Sequence, residues 1–226
     1  MIDAVARAAA MAGFDLAAPV VIDRDTDAPL PTFGRARAQG VVVGNTRALW
    51  PRFLDALDAD GELRGDPDPL DRYTERALTA IVPAGAAIFF AHVPSERGYL
   101  PIQALAERAG LATMAPSGLC VHPRYGPWIA LRALIVLDLD ADAGDAPPAR
   151  KPCDCATGCE PARELLRRAG DPFDPASPSW RLWADVRLAC PAGRAHRYDD
   201  DQLRYHYTRD RSLLDALLSR RRPPGR

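Results

Sequence analysis

The chain has 226 residues, with 29 basic residues against 30 acidic ones and a formal net charge of −1. This length fits one domain, with or without a small appendage, and is enough to bury a hydrophobic core. The balanced charge excludes the basic excess that attracts nucleic acid or an anionic membrane surface, so we expect neither as a partner. No apolar run approaches the roughly 18 residues of a membrane-spanning helix. The N-terminus shows no secretory signal, and we expect a cytoplasmic protein with reduced cysteines.

The first half of the chain alternates helix and strand patterns. Three valines bounded by glycines are typical of a buried strand, and Trp50, Phe53 and Leu57 recur at the spacing of one helix face. Residues 23–39 are rich in Asp, Pro, Gly and Arg, which indicates a loop. The predicted elements are a helix over 2–12, a strand over Gly40–Asn45, a helix from Asn45 or Thr46 to about Ala59, a helix over Pro69–Ile81, a strand over Ala86–Val93 and a helix over Pro101–Ala109.

The second half begins with two apolar segments around a tight turn and then becomes helical and loop-rich. We predict neighbouring strands over Ala112–Val121 and Trp128–Asp138, joined by that turn. Residues 139–152 indicate a linker. Three later helices are predicted, over Pro161–Ala169, Asp199–Tyr207 and Arg211–Arg221. The pattern favours an α+β fold with an antiparallel sheet flanked by helices, divided into a core over residues 1–145 and a C-terminal cap over 146–226.

The segment from Pro116 to Arg132 is the most informative part of the sequence. An apolar stretch ends at His122, the chain turns through residues 123–127, and a second apolar stretch starts at Trp128. A buried hairpin does not need a titratable ring and several aromatic rings in one turn, whereas these groups suit a large planar ligand. His122 is interpreted either as a hydrogen-bond donor or proton source beside that ligand, or as a histidine that the backbone satisfies at a strand end.

Two other side chains of this segment also allow two interpretations. Trp128 either covers a flat ligand or fills the core. Arg132 lies in an apolar strand, where a guanidinium needs an acidic partner. That partner is either a ligand phosphate or carboxylate, or an internal aspartate.

Four cysteines of the second half form a possible metal site. Cys153, Cys155 and Cys159 fall within seven residues, and Cys190 follows further on. Such a density can hold zinc or an iron–sulfur cluster, but the spacing matches neither a zinc knuckle nor a ferredoxin run. The alternative is a loop with thiols that bind no metal, and we assign no metal ligands.

Several arginines follow the cysteines. Most should lie on solvated helix faces, but a few that converge are suited to binding an anionic cosubstrate. The arginines considered are Arg163, Arg197, Arg204, Arg209 and Arg211. The sequence lacks the Gly-x-Gly-x-x-Gly, Walker, His-Glu-x-x-His and Gly-x-Ser-x-Gly motifs, which excludes the commonest nucleotide-binding and hydrolase sites.

Two blocks of the sequence carry a family resemblance. They are Gly118-Leu-Cys-Val-His-Pro-Arg-Tyr-Gly-Pro-Trp-Ile-Ala-Leu-Arg132 and Pro148-Ala-Arg-Lys-Pro-Cys-Asp-Cys155. Both resemble the CblC-type (MMACHC-like) cobalamin-processing proteins. The good match covers residues of about 112–155, and a weaker one extends to Arg197-Tyr198 and to Arg211 ahead of a leucine-rich helix.

The resemblance implies a nitroreductase- or flavin-reductase-like fold in which residues 1–145 bind a corrinoid with its nucleotide base displaced from cobalt. It implies that the upper axial ligand is removed, a cyanide by reduction through a flavin (FMN or FAD) and an alkyl group by transfer to glutathione or another low-molecular-weight thiol. The corrinoid-binding residues so implied are Pro116, Ser117, Gly118, Leu119, Cys120, Val121, His122, Tyr125, Trp128, Ile129, Ala130, Leu131 and Arg132. The residues implied to bind the thiol cosubstrate are Arg163, Arg197 and Arg211.

A second resemblance points to the same ligand. Epoxyqueuosine reductases and corrinoid reductive dehalogenases have a similar His-Pro-x-Tyr-Gly-x-Trp turn, but they add eight cysteines for two iron–sulfur clusters. The alternatives to a cobalamin-processing enzyme are a carrier that hands the cofactor to a downstream B12-dependent enzyme or reductase, and a flavin-dependent reductase that acts on another substrate. A monomer and a homodimer are both compatible with the sequence.

Overall fold

The computed structural model describes residues 1–96, 98–141, 159–169 and 180–221. The strands are β1 (Leu16–Asp23), β2 (Arg37–Asn45), β3 (Ala87–Phe90), β4 (Thr113–Met114), β5 (Cys120–Val121) and β6 (Ala130–Asp140). The helices are α1 (Ile2–Met11), α2 (Leu49–Ala59), α3 (Gly61–Gly65), α4 (Pro69–Thr79), α5 (Ile102–Arg108), α6 (Glu160–Ala169), α7 (Trp180–Ala189), α8 (Asp200–Thr208) and α9 (Arg211–Arg221). Among these residues, no helix is long and apolar enough to cross a membrane.

The fold is organised around an antiparallel sheet of four strands in the order β1-β2-β6-β3. One face of the sheet, with Val41 and Ile135, packs with α1, α2, α4, α8 and α9. The other face, with Val42 and Leu134, packs mainly against α5. Alternate residues of a strand point to opposite faces, so the continuous apolar runs of β2 and β6 are those of strands covered on both sides. The predicted α+β class is therefore confirmed.

Strand β1 was not predicted from the sequence, and β2 begins earlier than predicted. Asp23 pairs with Arg37 and Leu16 with Gly44, so part of the predicted 23–39 loop belongs to a long hairpin. Pro19 lies inside β1, and a proline disfavours a strand prediction. Strand β1 tolerates it because β1 forms the edge of the sheet. At an edge, the missing N–H of proline can face away from the sheet.

The prediction that the strands on either side of the central turn pair with each other is wrong. Strand β4 pairs with β5 in a separate two-stranded hairpin, whereas β6 pairs with β2 and β3. Residues 115–119 form the tight turn of that hairpin, in which the N–H of Ala115 donates to the carbonyl of Leu119 and Gly118 has a φ of 74°. The long strand predicted over 112–121 is thus two short strands folded back on each other.

The C-terminal helices share cores with the rest of the chain. Leu213 and Leu218 of α9 join the same apolar cluster as Phe53 of α2. Helices α6 and α7 pack on the β4–β5 hairpin, with Ala162 and Val186 in the cluster that contains Val121. The predicted boundary near residue 145 falls in a segment outside the described residues, and the division into core and cap stays a prediction.

Candidate functional site

The turn after β5 is closed by its own backbone. The N–H of His122 donates to the carbonyl of Gly126 at 2.9 Å, and the reverse hydrogen bond is 2.8 Å long. The imidazole Nδ1 of His122 accepts the backbone N–H of Arg124 at 3.0 Å and that of Tyr125 at 3.3 Å. Because Nδ1 is the acceptor, the neutral ring carries its proton on Nε2, which is therefore the donor atom of this side chain. The structure thus shows a histidine that the backbone satisfies, and its role as a donor beside a ligand stays a prediction.

The back of this turn packs directly on the segment that follows α7. Gly126 and Gly193 have φ values of 59° and 67°, and a Cβ on either would overlap the backbone of the opposite segment. Arg187 of α7 donates from Nη1 to the carbonyl of Pro127 at 3.1 Å. The ring of His196 meets the ring of Tyr125 edge-on, with 4.8 Å between centroids. These contacts fix the turn in place from behind.

Trp128 fills the interior. Its exposed fraction is 0%, and its ring meets that of Tyr198 edge-on at 5.8 Å. Ala184 of α7 and Leu203 of α8 complete the same cluster. The indole Nε1 has no hydrogen-bond partner among the described residues. Trp128 therefore supports the turn from inside and shows no ring face to a ligand in this structure.

The sequence-predicted corrinoid residues divide into a buried set and an accessible set. Buried are Ser117, Val121, Trp128, Ile129 and Arg132; half-buried are Leu119, Cys120, His122, Tyr125, Ala130 and Leu131; exposed are Pro116 and Gly118. Cys120, Tyr125 and Leu131 pack on one apolar cluster beside the sheet, and the His122 ring lies 4.8 Å from the ring of Tyr125. We call Cys120, His122, Tyr125 and Leu131 the turn face; it is half-exposed and mostly apolar.

Two clefts lie near the turn face that the sequence did not predict. Met114, whose sulfur is 3.3 Å from that of Cys120, lines a cleft of about 440 Å³ together with Tyr99 and Glu107. A second cleft of about 510 Å³ is lined by Phe89, Phe90 and Tyr99, among others. Segment 99–104 contributes to both clefts. The sequence alone indicated these clefts only weakly. Tyr99 stands in a loop, and the folded structure is needed to show that its ring remains 67% exposed.

The acidic partner of Arg132 is internal. Its Nε donates to Asn45 Oδ1 at 2.7 Å, and its Nη1 lies 3.8 Å from Asp71 Oδ1. Burial lowers the pKa of Arg132, and the nearby Tyr198 and Asp71 oppose that effect. Asp71 also pairs with Arg209, at 3.2 Å. Arg132 is thus held inside the protein and needs no ligand anion as its partner.

A histidine with a strongly shifted pKa lies next to this arginine. The ring of His206 packs against those of Tyr198 and Tyr207. Burial lowers the pKa of His206 well below its usual value, and the neighbouring charges of Arg187 and Arg132 lower it further. His206 is therefore neutral at physiological pH, and this protonation state depends on its position in the folded chain.

The structure places the three arginines predicted to bind a thiol cosubstrate in different parts of the fold. Arg163 of α6 pairs with Glu160 at 3.3 Å. Arg211 of α9 donates to backbone carbonyls of residues 64–66, at the end of α3. Arg197 pairs with Asp200 at 2.6 Å, and it lines a cleft of about 610 Å³ with two arginines that the sequence did not single out for this role, Arg47 and Arg194.

The cysteine cluster is only partly within the described residues. Cys153 and Cys155 lie outside them. Cys159 and Cys190 are buried in the apolar cluster beneath the β4–β5 hairpin, with Ala162 and Val186. Among the described residues, no group of three or more His, Cys, Asp and Glu side chains is arranged to hold a metal ion.

Known proteins are similar to this chain in both fold and sequence. A crystal structure of a B12-trafficking protein CblC from C. elegans, a human MMACHC homologue, superposes with a TM-score of 0.68 and 13% identity, covering 98% of each chain. Two proteins named cyanocobalamin reductase / alkylcobalamin dealkylase are similar in sequence. The one from Danio rerio is 30% identical over 162 residues, or 62% of this chain, and the one from Homo sapiens is 30% identical over 181 residues, or 80% of this chain.

The structural likeness shows that this chain has the fold of that nematode protein. A model of the methylmalonic aciduria and homocystinuria type C family matches residues 78–215, which include the turn face and the segment behind it. The chain belongs to this family. It spans 60% of the length of the zebrafish relative and 54% of the human one.

Proposed function

We propose that this protein binds cobalamin as its substrate and removes the upper axial ligand, by reductive decyanation, by thiol-dependent dealkylation, or by both. The observation that carries the proposal is the family match over residues 78–215, together with relatives named for those two reactions. The geometry supports it because the most family-like part of the chain forms a half-exposed apolar face. A corrin ring is large and flat and suits such a face.

The side chains of the turn face support the proposal that a corrinoid binds there without its lower base. Tyr125 and Leu131 offer apolar surface for the ring, and His122 is proposed to lie at its rim. Loss of the lower nitrogen ligand removes electron density from cobalt and eases its reduction, by the rule that axial ligands tune the potential of a macrocyclic metal. The rigid support behind the turn keeps this surface in one geometry, which lowers the entropic cost of binding.

We propose that the thiolate of a dealkylation comes from outside the protein, because Cys120, the thiol of the turn face, is a poor nucleophile. Burial and, to a smaller extent, the charge of Glu107 raise the pKa of Cys120 to about 11. Such a group stays protonated near neutral pH, and the thiolate is the nucleophilic form. We propose that a low-molecular-weight thiol such as glutathione accepts the alkyl group, and that the reaction takes place in the cytoplasm, where such thiols stay reduced.

For decyanation we propose a flavin that diffuses to the protein. The cleft of about 510 Å³ has the aromatic side chains Phe89, Phe90 and Tyr99 in its lining, which fit an isoalloxazine ring. Among the described residues that line this cleft, the only arginine is Arg108, which is already bound by Asp27 through contacts of 2.5 and 2.8 Å. A bound flavin would supply reducing electrons; the protein residues would hold its ring and exclude water. Flavin binding in this cleft is what a nitroreductase-like core over residues 1–145 is expected to provide.

Anaerobic turnover tests the proposal. The protein is mixed with excess cyanocobalamin and reduced flavin, or with methylcobalamin and glutathione, and released cyanide or S-methylglutathione is counted. We expect more than one equivalent of product per protein in at least one of the two reactions. Binding without turnover would instead identify a carrier that hands cobalamin to a downstream enzyme. A yellow protein that reduces other substrates and ignores cobalamin would identify a different flavin-dependent reductase.

A further inference from the structure

A single residue accepts every backbone N–H in the turn that follows β5. Proline has no N–H, so the donors of this turn belong to Arg124, Tyr125 and Gly126. Those of Arg124 and Tyr125 donate to the imidazole Nδ1 of His122, at 3.0 and 3.3 Å. That of Gly126 donates to the backbone carbonyl of His122 at 2.8 Å. His122 is therefore the common acceptor of the turn.

This hydrogen-bond pattern is the one that asparagine and aspartate form in an Asx turn. In such a turn the side-chain oxygen accepts the backbone N–H groups of residues shortly ahead in the sequence. The Nδ1 atom of a histidine is bonded to Cγ, as the Oδ1 atom of an asparagine is, so it can take the same place. His122 thus closes its turn with an imidazole where an amide or a carboxylate is more usual.

The ring of His122 also holds the side chain of Tyr125. The two ring centroids are 4.8 Å apart, and the ring planes are inclined by 41°. The ring of His196 lies at the same centroid distance from Tyr125, at an angle of 79°. Aromatic rings attract each other at such separations. His122 therefore fixes both the backbone of Tyr125 and its ring.

A turn with internally satisfied donors is suited to lie under a large apolar ligand. The N–H groups of an ordinary surface turn bind water, and a ligand that covers the turn removes that water. Any N–H group that loses its water without a replacement costs free energy, which weakens binding. In this turn the donors already have acceptors on His122, so covering Tyr125 carries no such cost.

We propose that His122 is a positioning residue for the corrinoid, and that the atom required for this role is Nδ1 and not Nε2. The inference rests on the proposed function, in that the ligand is a corrin ring on the turn face. The Nδ1 atom keeps the turn closed, and the closed turn keeps Tyr125 where the corrin ring can lie on it. The sequence-based interpretation of His122 as a donor beside the ligand assigns the role to the other nitrogen.

Two substitutions of similar polarity separate the two nitrogens. His122→Asn keeps an acceptor at the place of Nδ1 and has no group at the place of Nε2. His122→Gln carries its amide an extra methylene further from the backbone, at the level of Nε2. Asparagine is also compatible with the proline that follows, because Asn-Pro is a common start of a turn. His122→Ala removes both positions and serves as the reference.

The first measurement concerns the turn itself and needs no cobalamin. NMR follows hydrogen exchange of the Arg124 and Tyr125 amides in the full chain. We expect both amides to exchange about tenfold faster in His122→Ala and His122→Gln than in His122→Asn, because the hydrogen bonds to Nδ1 are lost. The amide of Ala115, which donates to the carbonyl of Leu119 in the neighbouring hairpin, is the internal control and should exchange at one rate in all variants.

The second measurement is a titration of cyanocobalamin with each variant, read from the visible spectrum. The signal is the shift to the form without the lower base. We expect His122→Asn to bind at least about tenfold more tightly than His122→Gln and His122→Ala, since only the asparagine keeps the turn closed. Thermal unfolding shows which variants are folded. If the alanine variant does not fold, the comparison of His122→Asn with His122→Gln decides.

Tighter cobalamin binding by His122→Gln than by His122→Asn would assign the role to Nε2 and overturn the proposal. Equal affinities of the asparagine and alanine variants would also overturn it, as would equal exchange rates of the Arg124 and Tyr125 amides in all variants. A wild-type chain that does not bind cobalamin refutes the proposed function instead. The exchange rates then still decide whether Nδ1 holds the turn, so the two failures are distinguishable.

Discussion

Gly126 and Gly193 lie backbone against backbone, and both have a left-handed φ. Gly126 belongs to the turn that carries His122 and Tyr125, and Gly193 to the loop that follows α7. A side chain on either residue would push the turn off its support. The position of the turn face therefore depends on two glycines about 70 residues apart in the sequence.

We expect Gly126→Ala to destabilise the protein by about 3 kcal/mol or more, because left-handed backbone strain adds to a collision with the backbone of Ala192. Gly34→Ala is the control, since Gly34 has a φ of 83° but no atom near its missing side chain. It should cost about 1–2 kcal/mol from strain alone. Urea unfolding measures both, and equal losses would contradict the close packing of the turn.

Cys120 should be a slow nucleophile. With a pKa raised to about 11, only about one thiol in a thousand is ionised at pH 8, so alkylation by iodoacetamide should be at least about tenfold slower than for free cysteine. Mass spectrometry of the Cys120 peptide follows the rate. Cys120→Ser should keep its dealkylation activity with added glutathione. Rapid labelling of Cys120, or loss of activity in the serine variant, would show that this thiol takes part in the chemistry.

The protein should lose stability on acidification through His206. Its pKa in the folded state is lowered, so the unfolded chain binds the proton more tightly. The contribution is constant above the unfolded pKa of about 6.5 and declines as the pH falls below it, by up to about 1.4 kcal/mol at pH 5.5. Urea unfolding at pH 8 and 5.5 measures this difference. His206→Gln should show a smaller difference, and an identical difference would exclude His206 as the source.

Asn45 should be essential for burying the charge of Arg132. Asn45→Ala removes the acceptor of its Nε–H, which is 2.7 Å away, and leaves a buried charged donor without a partner. We expect a loss of about 2–3 kcal/mol in the free energy of unfolding. Asn45→Asp keeps an acceptor at the same place and should lose less. An alanine variant as stable as the aspartate variant would contradict this account of Arg132.

Local hydrophobic patterns in the sequence correctly predicted helices that bury a single face. The apolar stripe of α2, with Trp50, Phe53 and Leu57, is buried as predicted. Helix α7 was missed because it packs on two sides, with Ala184 facing Trp128 and Tyr198, and Val186 facing the β4–β5 hairpin. Its apolar residues therefore form no single stripe. Pro19 hid strand β1 in a similar way, since only the position of that strand at the sheet edge makes a proline acceptable.

The candidate site was predictable as a segment but not as a surface. Residue types located the turn around His122, yet they did not show that Trp128 lies behind it, that Tyr125 lies half-exposed beside it, or that Asp71 is near Arg132. The cleft that Arg197 lines with Arg47 and Arg194 could not be predicted from the sequence, because Arg47 and Arg197 meet only in the folded chain. Sequence spacing carries no information on a contact between residues 150 positions apart.

The most direct test of the account is a visible-spectrum titration of cyanocobalamin with the wild-type chain and with Leu131→Arg, which places a charge on the turn face. Thermal unfolding of both proteins serves as the control for folding. We predict that the wild type shifts the spectrum to the form without the lower base and that Leu131→Arg, while folded, weakens this shift at least about tenfold through the loss of apolar contact. An unchanged spectrum with excess wild-type protein, or an equal shift with the folded variant, would contradict the claim that the turn face binds the corrin ring.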